Sequence, residues 1–366
     1  MLRLKNISIN TPYFEINSNN GYNFEQHSMR PIESFADNLR VSARLPYLTM
    51  KTIVRNYLEF RYGYLFNKYD LIVTNNESEV YSFLYNFLKN NFFILPTIGY
   101  QKYDFFCPKF KNRTIKYDIT DIKTIKKSLR KVPKDKNLTL IINDPCQLYT
   151  GYSMSEDDYM CLIKILKDCK HQKCNIIFDL AYIEFSSLKT DVFKFIDEIS
   201  KIKDFKVFIT FDFKHTFLNE KDECAALFYY NNCDASTFFL MHYRDRLMRK
   251  VNSRPFFMLK LLTRSTEIQK SFINDRERLL YTIETRSKAI KERLNQIKLE
   301  TYKYEDGIFL SITNIKNLNL VIEKLSKIHY QCVVLSSDTI AVPLLKHFPA
   351  EINDLLGEVA KYAVFN

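Results

Sequence analysis

The chain has no tryptophan and only six glycines among its 366 residues. The same bias runs toward Lys, Asn, Ile, Tyr and Phe, the mark of an AT-rich coding sequence, so its aromatic content does not count as evidence for base stacking. The eight cysteines, at positions 107, 146, 161, 169, 174, 224, 233 and 332, follow no disulfide framework. No run of about 18 uncharged apolar residues occurs, so no membrane-spanning helix is expected. The opening MLRLKNISIN lacks the apolar centre of a secretory signal. Together these absences predict a reduced, soluble, cytoplasmic protein. Internal repeats are also missing, as are helix-turn-helix, zinc-finger and ribonucleoprotein motifs. Cys169-x-His171-x-x-Cys174 has metal-ligating residue types, but a second pair at finger-like spacing is lacking, and no metal centre is expected.

What is present is ordinary for a globular protein: 46% apolar and 26% charged residues. The length fits one large domain with a smaller one beside it. The net charge of +12 points toward an acidic partner in principle. Its one dense basic run, Lys123–Lys136 (KTIKKSLRKVPKDK), reads as a solvated amphipathic helix and its loop.

Periodicity places the elements. Residues 1–48 are irregular and polar, an N-terminal arm. Met50–Tyr62 has helical spacing and Gly63 stops it. Asp70–Thr74 reads as a strand, Asn75–Ser78 as a turn and Glu79–Leu88 as a helix. Strands are expected at Phe92–Pro96, Thr114–Ile119, Leu138–Ile142, Asn175–Phe178, Phe205–Phe211 and Ala225–Tyr230, with helices at Glu156–Lys167 and Asp191–Ile199. Alternation of this kind predicts an α/β fold, a mostly parallel sheet in an α/β/α large domain covering 49–252. One or two long charged helices follow over 253–300. A smaller C-terminal α/β domain covers 301–366, with strands from Gly307, near Cys332–Leu335 and at Thr339–Val342, and helices at Leu318–Ser326 and Ala350–Val364.

Two segments carry the functional signal. Ile141–Ser153 (IINDPCQLYTGYS) and Asn175–Phe185 (NIIFDLAYIEF) each read as an apolar strand ending in a polar turn. The second leaves Asp179 and Tyr182 at a strand's carboxyl end, where open α/β sheets bind ligands. Together they resemble the core of the class I/II aminotransferases, pyridoxal-phosphate enzymes of fold type I. That family's D-x-A-Y is intact here as Asp179-Leu180-Ala181-Tyr182, while its NPTG has become Leu148-Tyr149-Thr150-Gly151. The resemblance covers roughly residues 45–365. It includes a phosphate-cup unit at Leu71–Leu88, a P-x-Y segment at Phe93–Tyr103, and Asn252–Pro255 at the turn before the inter-domain helix.

The resemblance implies pyridoxal 5'-phosphate as cofactor, with Asp179 against the pyridine nitrogen and Tyr182 on the phenolic oxygen. Thr74 and Ser78 would offer hydroxyls to the phosphate. The other expected groups are replaced. Leu148 stands for the NPTG asparagine, Glu77 brings a carboxylate to the phosphate turn, and Ile98 (or, by a small shift, Tyr100) stands where an aromatic stacks on the ring. Around Phe211–Phe217, the gap-free register puts His215 at the Schiff-base lysine, Asp212 at the phosphate serine and Glu223 at the phosphate arginine. A one-residue slide makes Lys214 the nucleophile but brings Phe211 and Asp222 to the phosphate positions. Thr339, beside Asp338, stands for the arginine that clamps the substrate carboxylate.

An imidazole has no primary amine and cannot form the aldimine. Acids in place of the phosphate arginine replace attraction with repulsion. The expectation is therefore a degenerate aminotransferase-like protein that binds no pyridoxal phosphate and acts as a ligand-binding or assembly module. The alternatives are an active aminotransferase or lyase using Lys214, and a nucleic-acid or acidic-partner binder using the basic surface. The resemblance further implies a homodimer, or a heterodimer with a related aminotransferase.

Overall fold

The computed structural model describes residues 45–99, 103, 113–169, 173–187, 190–202, 205–217, 223–230, 233–243, 251–327, 332–345 and 349–363. Most of the expected N-terminal arm, and Tyr100, His171 and Asp222 among the residues singled out above, lie outside them.

Helix α1 (Tyr47–Tyr62) buries Met50, Ile53, Val54, Tyr57 and Leu58 on one stripe. It ends at Gly63, whose φ of 64° lets its N–H return to the Glu59 carbonyl. Strand β1 (Asp70–Thr74) leads into α2 (Glu77–Phe87). The expected turn at Asn75–Ser78 is shorter than its sequence signal, because the Asn76 side chain accepts from the Glu79 N–H and starts the helix early. Strands β2 (Phe92–Pro96) and β3 (Thr114–Tyr117) follow, then the lysine-rich α3 (Lys123–Lys131), β4 (Leu138–Asn143), α4 (Glu156–Lys167) and β5 (Cys174–Asp179). Ser155 and Asp158 form a reciprocal capping box on α4. Next come α5 (Val192–Ser200), β6 (Phe205–Asp212), the one-turn α6 (Lys214–Phe217), β7 (Ala225–Tyr230) and α7 (Cys233–His242).

These strands form a seven-stranded sheet in the order β1-β7-β6-β5-β4-β2-β3. Strand β7 runs antiparallel to both β1 and β6, and the other neighbours are parallel. Strands β4 and β5 are buried at every position, which explains their uninterrupted apolar sequence.

The charged stretch after residue 252 divides into α8 (Arg254–Arg264) and the 31-residue α9 (Thr266–Gln296). Ser265 leaves helical geometry between them and its hydroxyl accepts from the Ile268 N–H. A second, antiparallel sheet of order β10-β11-β9-β8 follows, from β8 (Glu300–Thr301), β9 (Phe309–Thr313), β10 (Val333–Val334) and β11 (Ile340–Pro343). Helices α10 (Leu318–Lys327) and α11 (Pro349–Ala363) pack against each other beside it.

Two apolar clusters result. The larger follows the seven-stranded sheet. The smaller unites α9, β9 and β11 with six residues that sequence assigns to the large domain: Cys146, Leu148, Tyr149, Ala181, Tyr182 and Phe185. Gly151 lies at this contact. Its carbonyl accepts from the N–H groups of Glu305 and Asp306, at 2.8 and 2.9 Å. A Cβ there would meet the Asp306 carbonyl at 2.3 Å and the Tyr304 ring at 2.4 Å, and φ is +65°. Only glycine fits this turn. Among the described residues no helix is long and apolar enough to cross a membrane.

Candidate active-site cleft

The carboxyl ends of β4, β5 and β6 converge with the start of α2, placing Asn143, Asp179, Asp212 and Glu77 around one site. Asn143 ties the two diagnostic turns together: its amide donates to the Asp179 carbonyl at 3.1 Å and its oxygen accepts from the Leu148 N–H at 2.8 Å. A polar residue closing a fully buried strand was the available sign of this role.

Asp179 is fully buried. One oxygen accepts from the Tyr103 hydroxyl at 2.7 Å, the other from the Ala181 N–H at 3.2 Å and the Thr210 hydroxyl at 3.3 Å. Burial, then Asp179, push the Tyr103 hydroxyl well above the usual tyrosine range, so it stays a donor. Sequence had marked Tyr103 only as the end of the P-x-Y segment.

Tyr182 is buried beside it. Its hydroxyl is raised well above its ordinary pKa by burial first, then by Glu77, Tyr149, Asp179 and Asp212. The His215 ring lies 4.7 Å from the Tyr182 ring, tilted by 31°, and packs edge-on to Phe185 at 5.5 Å. His215 is 4% exposed. Its neighbour Lys214 has its amine 3.4 Å from Glu223 Oε1 and close enough to act on Asp212, and its backbone N–H donates to Asp212 Oδ1 at 3.0 Å. The helical turn of α6 thus sends adjacent side chains to different neighbours.

The end of the site nearer α2 is acidic. Asp212 is 7% exposed, and burial, followed by Glu77, pushes its carboxyl up to about 8. Glu77, itself buried, also acts on Tyr81, Tyr103 and Tyr182. Because α2 begins at Glu77, its phase buries that carboxylate and leaves Ser78 exposed. Thr74 is buried and its hydroxyl donates to the Asn76 carbonyl at 2.8 Å, closing the turn. Of the residues expected to contact a cofactor, the structure brings Asp179 and Tyr182 together, uses the Thr74 hydroxyl to close the turn and leaves Ser78 exposed.

Leu148 is buried in the smaller apolar cluster, with Ile98 packed against it. Gln147 holds this edge, donating to the Ile98 carbonyl at 2.7 Å. Thr339 is buried at the head of β11, and its hydroxyl donates to Asp338 Oδ1 at 2.9 Å.

Behind His215 lies a network that sequence reasoning missed. Glu184, 3% exposed, accepts from the Tyr57 hydroxyl at 2.6 Å and the Thr216 hydroxyl at 3.2 Å, and pairs with Arg61 at 3.2 Å. Although burial opposes ionisation, Arg61 and Arg276 together with these hydrogen bonds hold its carboxyl below the usual range. Arg276 of α9 donates to the carbonyls of His215 (2.8 Å) and Thr216, fastening α6 to the long helix. The sequence signal was weak: one glutamate after the D-x-A-Y turn and one arginine in a charged helix.

No family model matches the chain, and no curated protein matches it in sequence. Solved structures do match. An aminotransferase from Anaerococcus prevotii superposes with a TM-score of 0.76 at 19% identity, covering 92% of this chain and 87% of its own. The chain has the fold of the pyridoxal-phosphate-dependent fold type I aminotransferases. Kynurenine aminotransferase of Pyrococcus horikoshii gives a TM-score of 0.75 at 14% identity, over 94% and 89% of the two chains. A C-S lyase of Staphylococcus hominis, solved with pyridoxal phosphate, gives 0.70 at 12% identity, over 93% of this chain and 85% of its own. Identities this low speak for the aminotransferase fold alone.

Proposed function

We propose that this chain is a catalytically inactive protein of the aminotransferase fold, whose cleft serves binding or assembly. The observation that carries this reading is the placement of two neighbours. The His215 ring packs tilted against Tyr182 at 4.7 Å, while the Lys214 amine pairs with Glu223. The side chain beside the D-x-A-Y tyrosine thus lacks the primary amine that aldimine chemistry needs.

The other groups agree. Asp179 and Tyr182 suit a protonated pyridine ring, but Asp179 already accepts the Tyr103 hydroxyl. Glu77 and Asp212 stand at the end of the cleft formed by the start of α2, where the family resemblance puts the phosphate. A dianion brought there loses charge-assisted hydrogen bonds worth roughly 1.5–3 kcal/mol each and meets carboxyl groups instead. Leu148 and Ile98 give the ring region an apolar lining. This residue set does not suit pyridoxal phosphate.

For a partner, the reading favours a second copy of the chain or a related aminotransferase. Leu48, at the start of α1, is 72% exposed, and Leu240 and Met241 of α7 are 56% and 73% exposed. Tyr47 and Phe239 stack at 6.2 Å, which brings these two helices to one corner. An apolar corner of this kind supports a subunit contact.

The test is spectroscopic. Purified protein mixed with pyridoxal phosphate is expected to show no aldimine absorbance and no mass adduct after borohydride, and Lys214→Ala is expected to behave identically. A visible band that borohydride traps and Lys214→Ala abolishes would establish the active-enzyme alternative.

A further inference from the structure

At the end of the sheet opposite the cleft, two cysteines bracket the passage from α4 to β5. Cys169 Sγ lies 3.7 Å from Cys174 Sγ, and the two are not joined in a disulfide. That separation is sulfur–sulfur contact. A covalent bond of about 2.05 Å requires only a small further approach.

The two thiols are held differently. Cys174 is 2% exposed and opens β5, where it pairs with Leu138 of β4 on one side and Phe205 of β6 on the other. Its position is fixed by the centre of the sheet. Cys169 is partly exposed and follows the Asp168 cap of α4, beyond the last helical turn. One residue is therefore partly open to solvent, while the other is buried within sulfur contact of it. This is the arrangement of an attacking and a resolving thiol. The thiolate is the reactive form.

We propose that Cys169 and Cys174 form a reversible disulfide site that exchanges with low-molecular-weight disulfides such as glutathione disulfide. The Cys169 thiolate attacks one sulfur of glutathione disulfide. A Cys169–glutathione bond forms, the original S–S bond breaks, and one glutathione leaves as its thiolate with the electron pair. Cys174 then gives up its proton and attacks the Cys169 sulfur, releasing the second glutathione. Two protein thiols are oxidised, one glutathione disulfide is reduced to two glutathione molecules, and the two thiol protons end on them. The product ties the end of α4 to the start of β5. Asp179 lies at the far end of that six-residue strand, roughly 17 Å away at about 3.3 Å per residue, so the staple leaves the cleft in place.

The experiment treats the full-length chain with glutathione disulfide and reads intact mass and non-reduced peptide maps. The expected result is loss of two hydrogen masses, a Cys169–Cys174 cross-linked peptide, and reversal by dithiothreitol. Cys174→Ser is expected to stop at a stable glutathione adduct on Cys169, with Cys174→Ala as the second variant should the serine disturb the strand. Two outcomes overturn the proposal. In one, the wild-type chain accumulates the Cys169 adduct without the internal bond. In the other, both thiols stay open to alkylation while partly buried Cys161 or Cys332 reacts.

Discussion

Two buried carboxyl groups lie close to α6, and they behave in opposite ways. Glu184 is surrounded by Arg61, Arg276, Tyr57 and Thr216, and stays ionised below its usual range. Asp212, buried almost as deeply, faces Glu77 and is pushed up to about 8, opposed by the Lys214 N–H and its nearby amine. Burial alone costs both acids the same kind of desolvation, so the neighbours decide the sign. The acid that packs α1, α6 and α9 together is complemented on every side. The acid that faces the cleft is not. On the proposed reading, the supporting network persists because the fold needs it, while the ligand-facing charges no longer answer to a ligand.

Removing Glu184 breaks the complemented side and should have the largest effect. Glu184→Ala leaves Arg61 and the buried Arg276 without their counter-charge, and loss of one partner of a buried pair costs about 3–5 kcal/mol. Urea unfolding followed by circular dichroism measures this. A loss below about 1 kcal/mol would place Glu184 with surface ion pairs and erase the contrast. Tyr57→Phe is the milder probe of the same cluster. It removes the donor 2.6 Å from Glu184 Oε1, and a hydrogen bond to a charged group contributes roughly 1.5–3 kcal/mol.

The acidic side should respond in the reverse direction. A carboxyl whose folded pKa is raised adds stability that is complete below its unfolded value of about 3.9 and is lost as pH climbs toward the folded value near 8. Glu184, with its folded pKa lowered, contributes above its unfolded value and loses that contribution as acid protonates it. Asp212→Asn should therefore flatten the decline of stability between about pH 4 and pH 8, and raise it at pH 8 on the order of 1–2 kcal/mol. Thermal melts of both forms across this range check it. An unchanged pH profile would show that Asp212 is already ionised and paired.

The same physical distinction explains what could be read from sequence. The sheet was legible because strands buried on both faces must be continuous apolar runs, as in Leu138–Asn143 and Cys174–Asp179. Asp179 and Tyr182 were legible because they close such a strand within an unbroken four-residue motif. The Glu184 network was not. Tyr57, Arg61, Thr216 and Arg276 come from three helices far apart in the chain, and no local spacing announces their meeting. The start of α2 was placed two residues late because Asn76 reads equally well as a turn residue and as a cap. That difference turns Glu77 inward and Ser78 outward, so the carboxylate expected at this turn is present and the Ser78 hydroxyl faces away from the site. Helix α7 and the one-turn α6 also escaped notice. A single turn lacks periodicity, and α7 has almost no one-sided apolar stripe to mark it as a helix.

Lys214 gives the smallest and most discriminating test of the comparison. Its amine pairs with Glu223 at 3.4 Å, with the two side chains 16% and 34% exposed. A partly solvated pair of this kind contributes about 0.2–1 kcal/mol. Lys214→Met keeps the aliphatic stem and removes only the charge, so its stability should stay within that range. The change also deletes the Lys214 charge that lowers the Asp212 pKa. The stability decline assigned to Asp212 should then grow steeper near pH 8, because only the backbone N–H of residue 214 is left of the two Lys214 groups that offset Glu77. The double variant Asp212→Asn/Lys214→Met should lose that added slope. A double-mutant cycle at pH 6 and pH 8 separates the two contributions. Equal slopes for the wild type and Lys214→Met would place the amine outside the field of Asp212, which would remove the reason for reading Lys214 as a charge balancing the acids of the cleft.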